Sequence, residues 1–271
     1  MIAGLALVAL LLAMPAAAQD GTVQIRTRAP APGDVYRFES RTAFEQSDDQ
    51  GVQTQTNRIE FTLEVLGTGR EGLRLRQTVQ AVEIKDSGGA GMEAALKAVV
   101  GASLDFRVSP QGRPIGVDNW DAYRARVLAR IDAALPPTDP VRRLVQERYG
   151  QPPLVAAQEL ALSDAVIMAT MEPSGAVPLG RSSLVDPDSR ATTRATIEAT
   201  ITQPGCRVRI DRESLRSLSG VSNSIVSTAE VSVIDGRVLV LEERRVTRAP
   251  RGNQMETVQI RRLSLPPSCE G

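Results

Sequence analysis

The stretch IVSTAEVSVIDGRVLVLEERRV, Ile225 to Val246, alternates apolar and polar residues on both sides of Asp235-Gly236. Asp-Gly between two β-rich runs is a strong hairpin signal, because a type I′ turn needs positive φ at its central residues and Gly adopts it without steric cost. With Asp235 and Gly236 as the turn, Ile234 faces Arg237 and Val233 faces Val238. Val231, Val233, Val238 and Val240 then share the core face, and Glu230, Ser232, Arg237 and Leu239 fall on the opposite, wetter face. On this register Val240→Asp is costly and Arg237→Asp nearly neutral.

Strands are expected on both sides of this hairpin. Val166 to Met171, Ala195 to Thr202 and Arg207 to Ile210 precede it, and Thr257 to Leu265 follows. Near the N-terminus, Tyr36, Phe38 and Phe44 fall on one face of a first strand, with Arg37, Glu39 and Arg41 on the other. From Arg58 to Val65 the alternation is unbroken, with Ile59, Phe61, Leu63 and Val65 pointing one way. Gly67 to Gly72 turns into a third strand carrying Leu73, Leu75 and Val79, and Leu104, Phe106 and Val108 form another. Runs of this length suit a curved antiparallel sheet.

The middle of the chain changes period. Met92 to Val100 reads as a short helix ending at Gly101. Asp118 caps a longer one, in which Trp120, Tyr123, Val127, Ile131 and Leu135 recur at helical spacing until Pro136-Pro137 stops it. Thr138 or Asp139 caps the next helix, with Pro140 in its first turn, Val141, Leu144 and Val145 on its inner side and Gly150 at its end. The order strands, helices, strands argues for an α+β fold, mainly β. It is a long curved antiparallel sheet, open or a half-barrel, with the helical segment 118–165 packed against it. One domain is expected over 34–265, after a flexible tail at 19–33 and before a C-terminal tail at 266–271.

Residues 1–18 combine an apolar run from Leu5 to Leu12 with Ala16 and Ala18 at small-residue cleavage positions, the pattern of a secretory signal peptide. No Lys or Arg precedes the apolar run, and no later apolar segment is long enough to span a bilayer. A periplasmic or secreted location follows as an expectation. N-terminal sequencing of the exported protein should begin at Gln19; a mature chain retaining Met1 would contradict it. In an oxidising compartment Cys206 and Cys269 are expected to form a disulfide.

Charges balance at 32 basic and 32 acidic residues, so no electrostatic footprint for nucleic acid exists. The chain has no His, which removes Ser-His-Asp and Cys-His arrangements, His metal sites and a His general base. No phosphate loop, Gly-x-Ser-x-Gly elbow or Ser-x-x-Lys motif is present. Asp48-Asp49 and Asp186-Pro187-Asp188 lack the ligand alternation of a calcium loop and read as turns. Glu242-Glu243-Arg244-Arg245 reads as cross-strand pairing, since its members alternate faces. Trp120 and Tyr123 belong to the stripe that packs helix on sheet. No catalytic, metal-binding or cofactor-binding residue is therefore expected, no cofactor, and no enzymatic activity.

The alternating strands Tyr36 to Phe44 and Arg58 to Val65, the helix from Trp120 to Leu135 and the Asp235-Gly236 hairpin resemble secreted bacterial proteins with a curved sheet wrapped round helices, including periplasmic lipoprotein carriers of the LolA-like class. That resemblance implies an apolar cavity between sheet and helices that holds acyl chains, without assigning site residues. Two functions are expected. One is a non-catalytic exported module binding an apolar small molecule or lipid in the concave face of its sheet. The alternative is an interaction or envelope-structural module, with an envelope protein as partner and a sheet filled by its own helices. A concave side enclosing roughly 300 Å³ or more of empty apolar space separates them.

Overall fold

The computed structural model describes residues 21–25, 30–49, 51–86, 90–109, 114–162, 175–185, 192–218, 220–250 and 252–264. The expected leader, the expected strand Val166 to Met171, Asp186-Pro187-Asp188 and Cys269 lie outside them. In chain order the described elements are β1 (Thr22–Ile25), β2 (Val35–Asp48), β3 (Gly51–Gly69), β4 (Gly72–Asp86), α1 (Ala90–Lys97), β5 (Ser103–Val108), β6 (Pro114–Val117), α2 (Trp120–Ala134), α3 (Pro140–Tyr149) and α4 (Pro153–Leu160). There follow β7 (Gly175–Pro178), β8 (Gly180–Val185), β9 (Thr192–Gln203), β10 (Arg207–Leu218), β11 (Val221–Ser232), β12 (Val238–Ala249) and β13 (Gly252–Arg262).

The fold is mainly β. Eleven strands form one antiparallel sheet in the order β6-β5-β4-β3-β2-β13-β12-β11-β10-β9-β8. β13 pairs with β2 over its whole length, joining the two sequence blocks that flank the helices. β6 and β8 are the two edges and do not pair with each other, so the sheet is open. Tight reversals build it: Asp48 pairs with Gly51, Gly69 with Gly72, Leu218 with Val221 and Ala249 with Gly252. Gly72, at φ 114, also lets β4 approach β5, because a Cβ there would strike the carbonyl of Val108. Within the stretch expected as a tail, β1 pairs with β7 and buries Ile25.

The central hairpin forms in a different register from the one its Asp-Gly implies. Val231, not Val233, pairs with Val238, and a bulge between Glu230 and Val231 sets Val240 opposite Glu230. Residues 233–237 make the connection, with the Gly236 amide donating to the Ser232 carbonyl at 2.9 Å and Gly236 at φ 67. Val233 leaves the ladder because its amide donates to the Cys206 carbonyl at 2.8 Å. Asp235 accepts from the Arg237 amide at 3.1 Å and holds Arg262 Nη1 at 2.6 Å. Arg237, expected in water, is fully buried with its guanidinium 4.8 Å from the centre of the Tyr36 ring. Ser232 and Leu239 are buried as well, and Val240 is only half-buried. Side-chain commitments of Asp235 and Arg237 to distant strands override the local turn preference.

The helices follow their sequence signals more closely. In α2, Trp120, Tyr123, Val127 and Ile131 are buried, with Leu135 at its C-cap. Its N-cap is Asn119, not Asp118. The Asn119 amide instead bridges to β5, accepting from the Asp105 amide at 2.8 Å and donating to the Ser103 carbonyl at 3.0 Å, while Asp118 pairs with Arg74 and Arg107. Asp139 caps α3 by accepting from the Val141 amide at 2.8 Å. Leu144, expected inside, is 44% exposed; Tyr149 takes the inner position, stacked 5.6 Å from Trp120. Burial raises the hydroxyl pKa of both Tyr123 and Tyr149. α1 lies against β4, α2 against β5 and α4 against β6, so the described helices cover one end of the sheet.

Candidate functional site

Strand pairing assigns every side chain to a face, since directly opposed residues share one and neighbours alternate. The inner face holds the core. Its central row runs Ile210, Ala229, Leu241, Ile260, Ser40, Ile59 and Val82 across seven strands, and Phe38 stacks on Phe61 at 5.4 Å one step further in. Leu241, Ile260 and Phe38 are completely inaccessible, and Phe61 is 2% exposed. The next inner row includes Ser227 and Glu243, both buried, with Glu243 bonded to Arg245 at 3.1 Å. Glu242 and Arg244 lie on the opposite face, the alternation expected of that run.

Two cavities among the described residues open mainly on the outer face. One of about 660 Å³ is lined by Arg41, Ala43, Thr56, Arg58, Lys85 and Thr257 among others. A second of about 550 Å³ includes Glu45, Leu215, Ser224, Arg244, Val246 and Met255. Leu215, Ser224, Val246, Met255 and Glu45 form one cross-strand row of the outer face, and Thr257 and Ala43 belong to the next. The two cavities therefore occupy neighbouring rows along β2 and β13 on one face, and together they make up the trough. A third, smaller pocket of about 210 Å³ sits at the β3–β4 reversal, against Gly72, Leu73 and Ile115.

An ion-pair ladder borders the trough. Glu39, on the outer face, is nonetheless 4% exposed because Arg41 at 2.8 Å, Arg58 at 2.6 Å and Arg261 at 3.8 Å enclose its carboxylate. Arg58 also binds Glu60 and Glu83 at 2.6 and 2.9 Å. The hydrogen bond from Arg58 is the largest influence holding the Glu39 carboxyl below its ordinary 4.5, against the opposing effect of burial. A depressed folded-state pKa contributes stability that is complete above the ordinary value and lost as pH falls through the folded one. Melting curves from pH 7 to pH 2.5 should thus show Glu39→Gln less stable at neutral pH, with the gap to wild type closing below about pH 4.5. A gap independent of pH would contradict this role.

Among the described residues no group of three or more His, Cys, Asp or Glu side chains is arranged to hold a metal ion. Trp120 and Tyr123 join Tyr149 in the buried core. Cys206 is 3% exposed in the turn immediately before β10. No described helix is long and apolar enough to cross a membrane.

No protein-family model matches the sequence, and neither does any curated protein. Among solved structures the chain is similar to lipovitellin, from a structure titled for its lipid–protein interactions, over 89% of this chain and 26% of that one, with 9% identity and a TM-score of 0.46. It is similar to DynF from the dynemicin biosynthesis pathway of Micromonospora chersina over 92% and 88% of the two chains, with 9% identity and a TM-score of 0.22. A domain described as outer membrane lipoprotein-sorting, from Vibrio parahaemolyticus, is similar over 85% and 87%, with 8% identity and a TM-score of 0.20. The chain thus spans about a quarter of the lipovitellin chain, and likeness at these scores carries no argument about function.

Proposed function

We propose that the protein is an exported, non-catalytic module of the bacterial envelope that binds an apolar small molecule or lipid in a concave stretch of its sheet. The trough on the outer face is the observation that carries this reading. Its two cavities extend over several strands, and one of them is floored by Leu215, Val246 and Met255. The central rows of the inner face have their large side chains closed against one another, which favours the opposite face as the binding surface. Export rests on residues 1–18. The absence of His and of any recognisable nucleophile arrangement supports the non-catalytic assignment.

A second reading, an envelope-structural or protein-interaction module, draws support from the same closed inner face. Native mass spectrometry of the protein purified from its own periplasm separates the two: a co-purifying lipid or apolar molecule is expected on the first reading, and bare protein throughout on the second. Because only oxygen ligands are available apart from the two cysteines, a structural metal is not expected either. EDTA should leave the melting temperature unchanged within about 2 °C, well under the shift that about 1 kcal/mol produces in a small domain.

A further inference from the structure

The trough is unevenly charged, and the imbalance specifies what it takes. Arg41 and Arg58 are committed to Glu39, and Glu83 is committed to Arg58. Lys85, Arg244 and Arg248 also line the trough, and among the described residues none of the three is within ion-pair distance of a carboxylate. Arg244 instead lies over the trough floor, its Nη2 3.3 Å from the Met255 sulfur. Against these cations stands Glu45, the one lining carboxylate that no described guanidinium or ammonium engages. The floor beneath Arg244 and Arg248 is the apolar row of Leu215, Val246 and Met255, crossed by the small side chains of Ser222 and Ser224.

We propose that the trough binds a free single-chain anionic amphiphile, its carboxylate at Arg244 and Arg248 and its alkyl chain along the floor; this rests on the trough being the binding surface. The chemistry is complementary. Each guanidinium offers charge-assisted, fork-shaped hydrogen bonding to a carboxylate. A narrow apolar floor rewards one alkyl chain in proportion to the area it removes from water. A neutral apolar ligand would leave the excess positive charge unanswered, and a cationic one would be repelled.

The test uses the purified mature protein and calorimetric titration with laurate, dodecanol and dodecylammonium. Laurate should bind, dodecanol at least tenfold more weakly, and dodecylammonium not measurably. The double variant Arg244→Gln/Arg248→Gln should lose tenfold or more in laurate affinity, and Ser224→Trp, which fills the floor, should abolish binding; both variants should retain the wild-type circular dichroism and melting curve. Equal affinity for laurate and dodecanol, or an unchanged double variant, would overturn the anionic-head assignment and leave the trough as an apolar site. Undiminished laurate binding by Ser224→Trp would overturn the trough itself. Failure of every probe would overturn both, as would flotation with phosphatidylglycerol vesicles without uptake of monomeric laurate, which would make the face a membrane-docking surface.

Discussion

Arg237→Asp should destabilise the fold by about 3–5 kcal/mol, the scale for an uncompensated charge placed in a buried ionic cluster. Arg237 has no accessible surface, and its guanidinium and that of Arg262 both lie against Tyr36, at 4.8 and 5.1 Å from the ring centre. Arg262 reaches Asp235 at 2.6 Å, so a loop, the end of β13 and the start of β2 meet in one cluster. Burial lowers the pKa of the Arg237 guanidinium, with Tyr36 and Asp235 acting in the opposite direction. An aspartate there would sit beside Asp235 and face no neutralising partner of its own. Arg237→Met keeps the length and removes the charge, and should cost much less, because hydrophobic replacement of a buried ion is often near neutral. Val240→Asp, on the half-buried outer side opposite Glu230 and Arg261, should cost only about 1 kcal/mol. Urea denaturation of the three variants ranks them. A nearly neutral Arg237→Asp beside a costly Val240→Asp would restore the two-residue hairpin register, and equal effects would contradict both registers.

The second large effect concerns the proposed bond between Cys206 and Cys269. Cys206 is buried, and its carbonyl accepts from Val233 at the base of the 233–237 loop. Arg262 touches Asp235 of that same loop, so β13 ends close by, and the seven further residues to Cys269 can span up to about 25 Å. Closing a loop of about 60 residues removes entropy from the unfolded chain worth about 4 kcal/mol, an upper figure before native strain and unfolded-state structure are counted. Reduction, or Cys206→Ser, should lower stability on that scale. Thiol titration in denaturant, on protein from an oxidising compartment, should find no free thiol; two free thiols would exclude the bond.

What the sequence disclosed follows from where each signal resides. Arg58 to Val65 and Trp120 to Leu135 were legible because their periodicities are long and reinforced by burial on one side, and both elements form as read. The hairpin register was not. Asp235-Gly236 is a local signal, whereas the partners that decide its geometry, Tyr36 and Arg262, come from strands far away in the chain. Short elements escaped for a related reason. Pro114 to Val117 and Thr22 to Ile25 are too brief to show a period, and only pairing defines them. The trough was equally hidden, since its lining is drawn from many strands and its Ser, Thr and Arg side chains resemble any wetted face. One signal was present: Leu215, Val246 and Met255 interrupt the polar alternation of three strands, and pairing alone reveals that they share a row.

Residue-level mapping of a photoactivatable fatty acid bearing a diazirine on its alkyl chain tests the outer-face site most directly. Cross-links on Leu215, Ser224, Val246 and Met255 are the predicted result, because these side chains floor the trough. Cross-links confined to inner-face residues such as Ile225 and Arg245, which alternate with Ser224 and Val246 along β11 and β12, would contradict it.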